Sequence, residues 1–159
     1  MKAMGEARST PEPSRRISGL GSSTGEPADV EACNDKIEAV TGVRPTLIRP
    51  PYGEYDDNVI TAIRSIGMEP IQWDVDSLDW KDLEAPEIIK RVTGKVQSGS
   101  IVLFHNAALH TPEALPTIIE TLLQEGYTFV PISELILEEP YTIDHTGRQL
   151  PAQPSSSPR

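Results

Sequence analysis

The polar and rigid residues of this chain concentrate in three short segments. Arg49-Pro50-Pro51-Tyr52-Gly53 joins a planar cation to a stiff turn and an aromatic ring. Asp74-Val75-Asp76-Ser77-Leu78-Asp79-Trp80 sets three carboxylates ahead of an indole. His105-Asn106 follows the apolar run Ser100-Ile-Val-Leu-Phe104. A histidine beside a carboxylate can be held protonated near neutral pH and act as a general acid. An arginine can orient a carboxylate through its planar fork. Trp80 and Tyr52 offer flat faces of the kind that sugars pack against. Taken singly, each segment has a plainer reading. Pro-Pro-Tyr-Gly is a rigid turn, Asp-rich loops are commonly solvated or cap the next helix, and a lone histidine after a strand is commonly structural. Asp74, Asp76 and Asp79 also fail the calcium-loop pattern, which needs a glycine and a distant glutamate. The candidate is therefore the conjunction of Arg49, Asp79 and His105. His110 and His145 lack such surroundings and are read as surface residues.

The conjunction depends on elements that bring the segments to one place. Asp29 is placed to cap a helix with Val30, Cys33, Ile37 and Val40 on its apolar face and Gly42 as its stop. Thr46–Arg49 is a short strand. A helix from about Tyr55 buries Val59, Ile60, Ile63 and Ile66 and ends at Gly67. Glu69–Trp73 is the next strand, followed by a helix with Pro86 near its first turn and Ile88, Ile89, Val92 and Val96 inward. Ser100–Phe104 has the continuous apolar character of a strand buried on both faces. Thr111 and Pro112 open a helix that carries Leu115, Ile118, Ile119, Leu122 and Leu123, with Pro116 expected to bend it and Gly126 to stop it. Tyr127–Val130 is read as a last strand, and Ser133 as the cap of a terminal helical turn through Leu137. This α-β alternation predicts parallel strands joined by helical crossovers, and an open doubly wound sheet and a piece of a (β/α) barrel fit it equally. In either, chemistry gathers at the carboxyl ends of the strands, where Arg49, Asp79 and His105 would share one rim.

Composition narrows the function classes. The 159 residues hold 24 acidic against 14 basic side chains, a formal charge of −10, which disfavours nucleic acid and anionic membrane as partners. Cys33 is the single cysteine, so an internal disulfide framework and a Cys-based zinc cage are excluded. It is read as a small buried apolar side chain. No apolar run approaches a bilayer span, and residues 1–25 lack the apolar segment of a signal peptide, which leaves localisation open. Hydrophobic residues make up 37%, and the 15 prolines divide between turns such as Pro50-Pro51 and the two ends. Residues 1–28 are read as a disordered or unrelated leader, 29–139 as the ordered domain and 140–159 as a disordered Pro/Ser-rich tail.

Arg-Pro-Pro-Tyr-Gly at 49–53, Trp-Asp-Val-Asp-Ser-Leu-Asp-Trp at 73–80 and Ile-Val-Leu-Phe-His at 101–105 resemble, in order and spacing, three successive motifs of the polysaccharide deacetylases, the NodB-homology enzymes of carbohydrate esterase family four. The resemblance runs from about Glu31 to Leu137 and includes Thr111-Pro-Glu-Ala-Leu-Pro116. It implies a distorted (β/α) barrel and removal of acetyl groups from N-acetylated sugars of peptidoglycan or chitin type. Arg49 would orient the catalytic base, and the Tyr52 N–H would help hold a tetrahedral oxyanion. Asp79 would tune His105, His105 would protonate the departing amine, and Trp80 and Leu103 would wall the acetyl pocket.

The departures are as informative. The family pattern places an Asp-Asp motif and a His-x-x-x-His motif, which supply the base and the zinc-type metal ligands, before the Arg-Pro-Pro-Tyr-Gly segment. Residues 1–48 contain no histidine and no Asp-Asp pair. The resemblance therefore implies the C-terminal half of such a domain, since a complete barrel of this kind needs roughly 200 residues or more. The expectations are a chain with no metal cofactor of its own, inactive alone as a deacetylase, with N-acetylated polysaccharide as its partner. The alternative is a non-catalytic carbohydrate-binding remnant that uses Trp80 and Tyr52. A partial barrel would also expose strand edges near Thr46 and Tyr127, with self-association as the expected consequence.

Overall fold

The computed structural model describes residues 26–53, 55–138 and 140–152. They fall into two compact units, residues 26–72 and residues 73–152. Of the expected leader, only its last three residues are described, and they form the first turn of a helix; the rest of 1–25 lies outside the described residues.

The N-terminal unit runs α1 (Glu26–Thr41), β1 (Leu47–Ile48), a 3-10 turn (Pro51–Gly53), α2 (Asp57–Ser65) and β2 (Glu69–Pro70). Strands β1 and β2 are parallel, with Leu47 opposite Glu69 and Ile48 opposite Pro70. Asp56 caps α2 by accepting from the Val59 N–H at 2.8 Å. At its other end Gly67, with φ of 73°, lets the chain reverse, so that Gly67 N–H bonds Arg64 O and Met68 N–H bonds Ile63 O. Helix α1 corrects two expectations. It starts three residues before Asp29, with Pro27 in its first turn, and its predicted apolar face is turned away from cover. Cys33 is exposed, Val40 is 87% exposed, and the buried side chain is Asn34, whose Nδ2 donates to Met68 Sδ at 2.9 Å. At 100° per residue, seating Asn34 inward rotates the expected stripe outward by about 80°.

The C-terminal unit runs β3 (Val75–Asp76), a 3-10 turn (Asp79–Lys81), α3 (Ala85–Thr93), β4 (Val102–Leu103), α4 (Thr111–Gln124), α5 (Ile132–Leu135), β5 (Tyr141–Ile143) and β6 (Gln149–Pro151). Strands β3 and β4 are parallel, Val75 opposite Val102 and Asp76 opposite Leu103. Their core joins Val75 and Val102 to Ala85, Ile88, Val92 and Val96 around α3, and to Ala114, Ile118 and Leu122 from α4. Those are i, i+4 and i, i+3 spacings, which put one stripe of each helix against the strand pair. Helix α4 runs on through Pro116.

The C-terminal unit corrects three further expectations. Strand β4 is two residues long rather than the five of Ser100–Phe104; at its start the Ile101 N–H goes to the Asp74 carboxylate at 2.8 Å, so the ladder begins only at Val102. Tyr127–Val130 forms no strand and presents no edge. Tyr127 and Phe129 pack on the core instead, and the Tyr127 hydroxyl donates to Val96 O at 3.1 Å. Residues 141–151 are an antiparallel hairpin, not a tail without structure. Its turn is closed by Asp144, which accepts from the Thr146 and Arg148 N–H groups, and Tyr141 is buried. The expectation for 153–159 lies outside the described residues. The described sheets are thus three separate pairs, a mixed α/β arrangement with no closed barrel among the described residues. No helix of the described residues is long and apolar enough to cross a membrane.

Candidate functional site

The loop that leaves β3 and the loop that leaves β4 meet at Asp79 and His105. The first is shaped by its own polar groups: the Asp76 carboxylate accepts from the Leu78 N–H at 2.9 Å, and Ser77 Oγ accepts from the Asp79 N–H at 3.3 Å. Leu78 and Asp82, on either side of the 3-10 turn, both hold left-handed backbone, with φ of 54° and 55°. This turn directs the Asp79 side chain inward, where it is completely buried. His105 follows β4, and its own N–H bonds both Asp79 oxygens, at 3.2 and 3.1 Å.

The imidazole completes the contact, with His105 Nδ1 2.7 Å from Asp79 Oδ1. Thr111, the first residue of α4, donates its hydroxyl to Asp79 Oδ2 at 2.6 Å. Burial alone would push the Asp79 carboxyl up. Hydrogen bonds from Thr111, from the His105 N–H and ring, and from the Ser77 side chain outweigh it and hold the carboxyl below its ordinary value of 3.8. The result is a carboxylate at neutral pH with the Nδ1 side of an imidazole fixed against it, which leaves Nε2 as the ring nitrogen that Asp79 does not engage. Trp80 stands edge-on to the His105 ring, centroids 6.3 Å apart and planes at 64°, and the Lys81 ammonium lies 5.2 Å from its centroid.

Of the other predicted residues, Leu103 is buried on β4, where its carbonyl accepts from the Ser77 N–H at 3.1 Å. Arg49 and Tyr52 belong to the N-terminal unit. Arg49 is half-buried just beyond β1, and Tyr52 is 91% exposed in the 3-10 turn with φ of 57°. The Gln72 amide fastens this turn by donating to Gly53 O at 2.6 Å. Among the described residues, the non-glycine residues with left-handed backbone are Tyr52, Leu78, Asp82 and Ala107, and all lie in or within two residues of the three segments. Such backbone costs on the order of 1–3 kcal/mol per residue and collects where a structure holds groups for a task. Thr111 was legible in sequence only as a helix cap. It heads the helix instead of capping it, and its hydroxyl is spent on Asp79.

Known proteins are similar to this chain. A family model described as polysaccharide deacetylase matches residues 19–71. A peptidoglycan-N-acetylmuramic acid deacetylase of Bacillus subtilis is 38% identical over 101 residues, 64% of this chain and 21% of that protein. A peptidoglycan-N-acetylglucosamine deacetylase of Listeria monocytogenes is 40% identical over 99 residues, 62% of this chain and 21% of its own length. The chain thus spans about a fifth of these curated relatives. Among solved structures, a family-four carbohydrate esterase pseudoenzyme from Bacillus anthracis aligns with a TM-score of 0.66 at 36% identity, over 72% of this chain and 40% of that one.

Proposed function

We propose, from the premise that this chain belongs to the polysaccharide deacetylases of carbohydrate esterase family four, that it carries the acid side of a carbohydrate N-deacetylase site on the C-terminal half of a NodB-type distorted barrel. The observation that supports this reading is the 2.7 Å contact between His105 Nδ1 and the buried Asp79 carboxylate. Cleaving an acetamide requires a proton on the departing nitrogen, because an amide anion is a very poor leaving group. In a site completed by a base and an activated water, His105 would deliver that proton from Nε2, with the Asp79 charge stabilising the imidazolium until it did. On the C-terminal unit the exposed face of Trp80 holds the sugar and Leu103 backs the acetyl group; on the N-terminal unit the resemblance gives Tyr52 the role of oxyanion donor and stacking face, and Arg49 that of orienting a base which residues 1–48 do not supply. The substrate class is N-acetylated polysaccharide of peptidoglycan or chitin type.

The residues present do not fit the divalent metal that the resemblance implies. Among the described residues no three His, Cys, Asp or Glu side chains converge, and Asp79 and His105 hold each other. In this reading the 159-residue chain by itself binds N-acetylated sugar without turning it over. A binding-only role gains support from the exposure of Trp80 and Tyr52, 57% and 91%, and from the likeness to a pseudoenzyme. The test is a titration of the purified chain with N-acetylglucosamine oligomers, followed by NMR, with acetate assayed before and after zinc is added. Shifts at Trp80 and His105 without acetate release are expected. Acetate release overturns the inactive reading, and the absence of any sugar-induced shift overturns the site.

A further inference from the structure

We infer that Thr111 is a positioning residue for His105, acting through Asp79. The Asp79 side chain is shut off from solvent, so each oxygen needs a donor from the protein. The His105 N–H cannot choose between them, for it lies 3.2 Å from Oδ1 and 3.1 Å from Oδ2. That bond sets no preference between the oxygens, so on its account the imidazole could be met by either of them at different angles. Thr111 breaks the balance. Its hydroxyl takes Oδ2 at 2.6 Å, which leaves Oδ1 to the imidazole at 2.7 Å and sets the direction in which Nε2 points.

The hydroxyl can do this because its backbone is fixed. Thr111 opens α4, and three, seven and eleven residues further on Ala114, Ile118 and Leu122 are all in the core, 2% exposed or less. The helix thus anchors the donor, the donor sets the carboxylate plane, and the plane sets the ring. Pro112 adds stiffness by fixing the backbone angle just after Thr111.

This inference rests on His105 being the acid of the proposed reading, and its test reads the His105 ring rather than sugar. In the 159-residue chain with the ring neutral, ¹⁵N NMR should find His105 almost wholly as the Nδ1–H tautomer, with a low-field Nδ1–H signal. The Thr111 hydroxyl proton should be slow to exchange with water. Thr111→Ser keeps both ring signatures; Thr111→Val and Thr111→Ala lose the low-field signal and give a mixture of tautomers. A folded Thr111→Val chain with an unchanged ring signal overturns the inference, as does a wild-type hydroxyl that exchanges freely. If Thr111→Val does not fold, Thr111→Ala and the wild-type hydroxyl decide the matter. Loss of sugar binding with the ring signatures intact would sink the proposed function alone, and normal ring signatures in both hydroxyl-free variants would sink this inference alone.

Discussion

Arg148, in the turn of the C-terminal hairpin, reaches back to Asp74 just before β3, with Nη1 2.7 Å from Oδ2. The same guanidinium bonds Ser100 Oγ at 3.3 Å and Ser98 O at 2.8 Å, while Asp74 also takes the Ser100 hydroxyl and the Ile101 N–H, both at 2.8 Å. Asp74 and Ser100 stand at the amino ends of β3 and β4, so the hairpin is fastened at the end of the strand pair opposite to Asp79 and His105. The Asp74 side chain is 6% exposed and that of Arg148 is 21% exposed, which makes this more than a surface pair. Arg148→Ala leaves a nearly buried carboxylate short of its cation, at a cost of about 2 kcal/mol once the partial exposure of the arginine is discounted. Urea unfolding should move to a lower midpoint, and the amide protons of 141–151 should lose protection from exchange. An unchanged midpoint would mean that the hairpin is not docked.

That hairpin was invisible to pattern reading because its fastening is a single arginine acting across 74 residues of sequence. Local composition there, with Pro140 and Pro151 flanking a short polar turn, reads as tail. Helices with an apolar stripe were legible: Ile88 and Val92 in α3, and Ile118 and Leu122 in α4, lie where the 3.6-residue period puts them. The stripe on α1 misled, since period says which residues share a face but not which face meets a partner. Around the candidate site, Asp79 and His105 were read onto one rim from the wrong strand: Glu69–Pro70 pairs with β1, and Asp79 follows β3, Val75–Asp76, which the pattern reads as loop because its valine is flanked by aspartates. The function of Thr111 was not legible, because a threonine ahead of a proline looks the same whether its hydroxyl caps its own helix or crosses to a neighbouring loop.

Acid should weaken the C-terminal unit through Asp79. Its carboxyl is held below the ordinary value of 3.8, so the folded state binds a proton less readily than the unfolded chain. A depressed carboxyl contributes stability above its unfolded value and loses it as pH falls through the folded one. Urea midpoints measured from pH 6 downward should therefore decline below about pH 4. Asp79→Asn should lower stability at pH 7 by about 2–4 kcal/mol, through loss of charge-assisted bonds to Thr111 and His105, and should flatten this decline. If the variant keeps the same acid slope, some other carboxylate carries it.

Trp80 separates sugar contact from stability. Its side chain is mostly exposed, with the His105 ring edge and the Lys81 ammonium as neighbours. Trp80→Ala should change unfolding free energy by less than about 1 kcal/mol, as expected of an exposed position. Its loss as a stacking face should weaken binding of N-acetylglucosamine oligomers by about 1 kcal/mol, roughly fivefold. The measurement is the same NMR titration, read at His105. Equal affinity in the variant would remove Trp80 from the sugar site.

Tyr52 allows the opposite comparison, in which stability holds or rises while binding falls. Its φ of 57° is a conformation that costs an L-residue about 1–2 kcal/mol, and a side chain 91% exposed returns little of that in packing. Tyr52→Gly removes the strain, offset by about 0.5–1 kcal/mol for the freer unfolded chain. The variant should therefore be between neutral and about 1 kcal/mol more stable than the parent. If the strained turn is kept because its ring meets the sugar, the same variant should bind N-acetylglucosamine oligomers severalfold more weakly. A variant less stable by more than about 1 kcal/mol would assign the Tyr52 ring to packing, and unaltered sugar affinity would leave the turn without the proposed role.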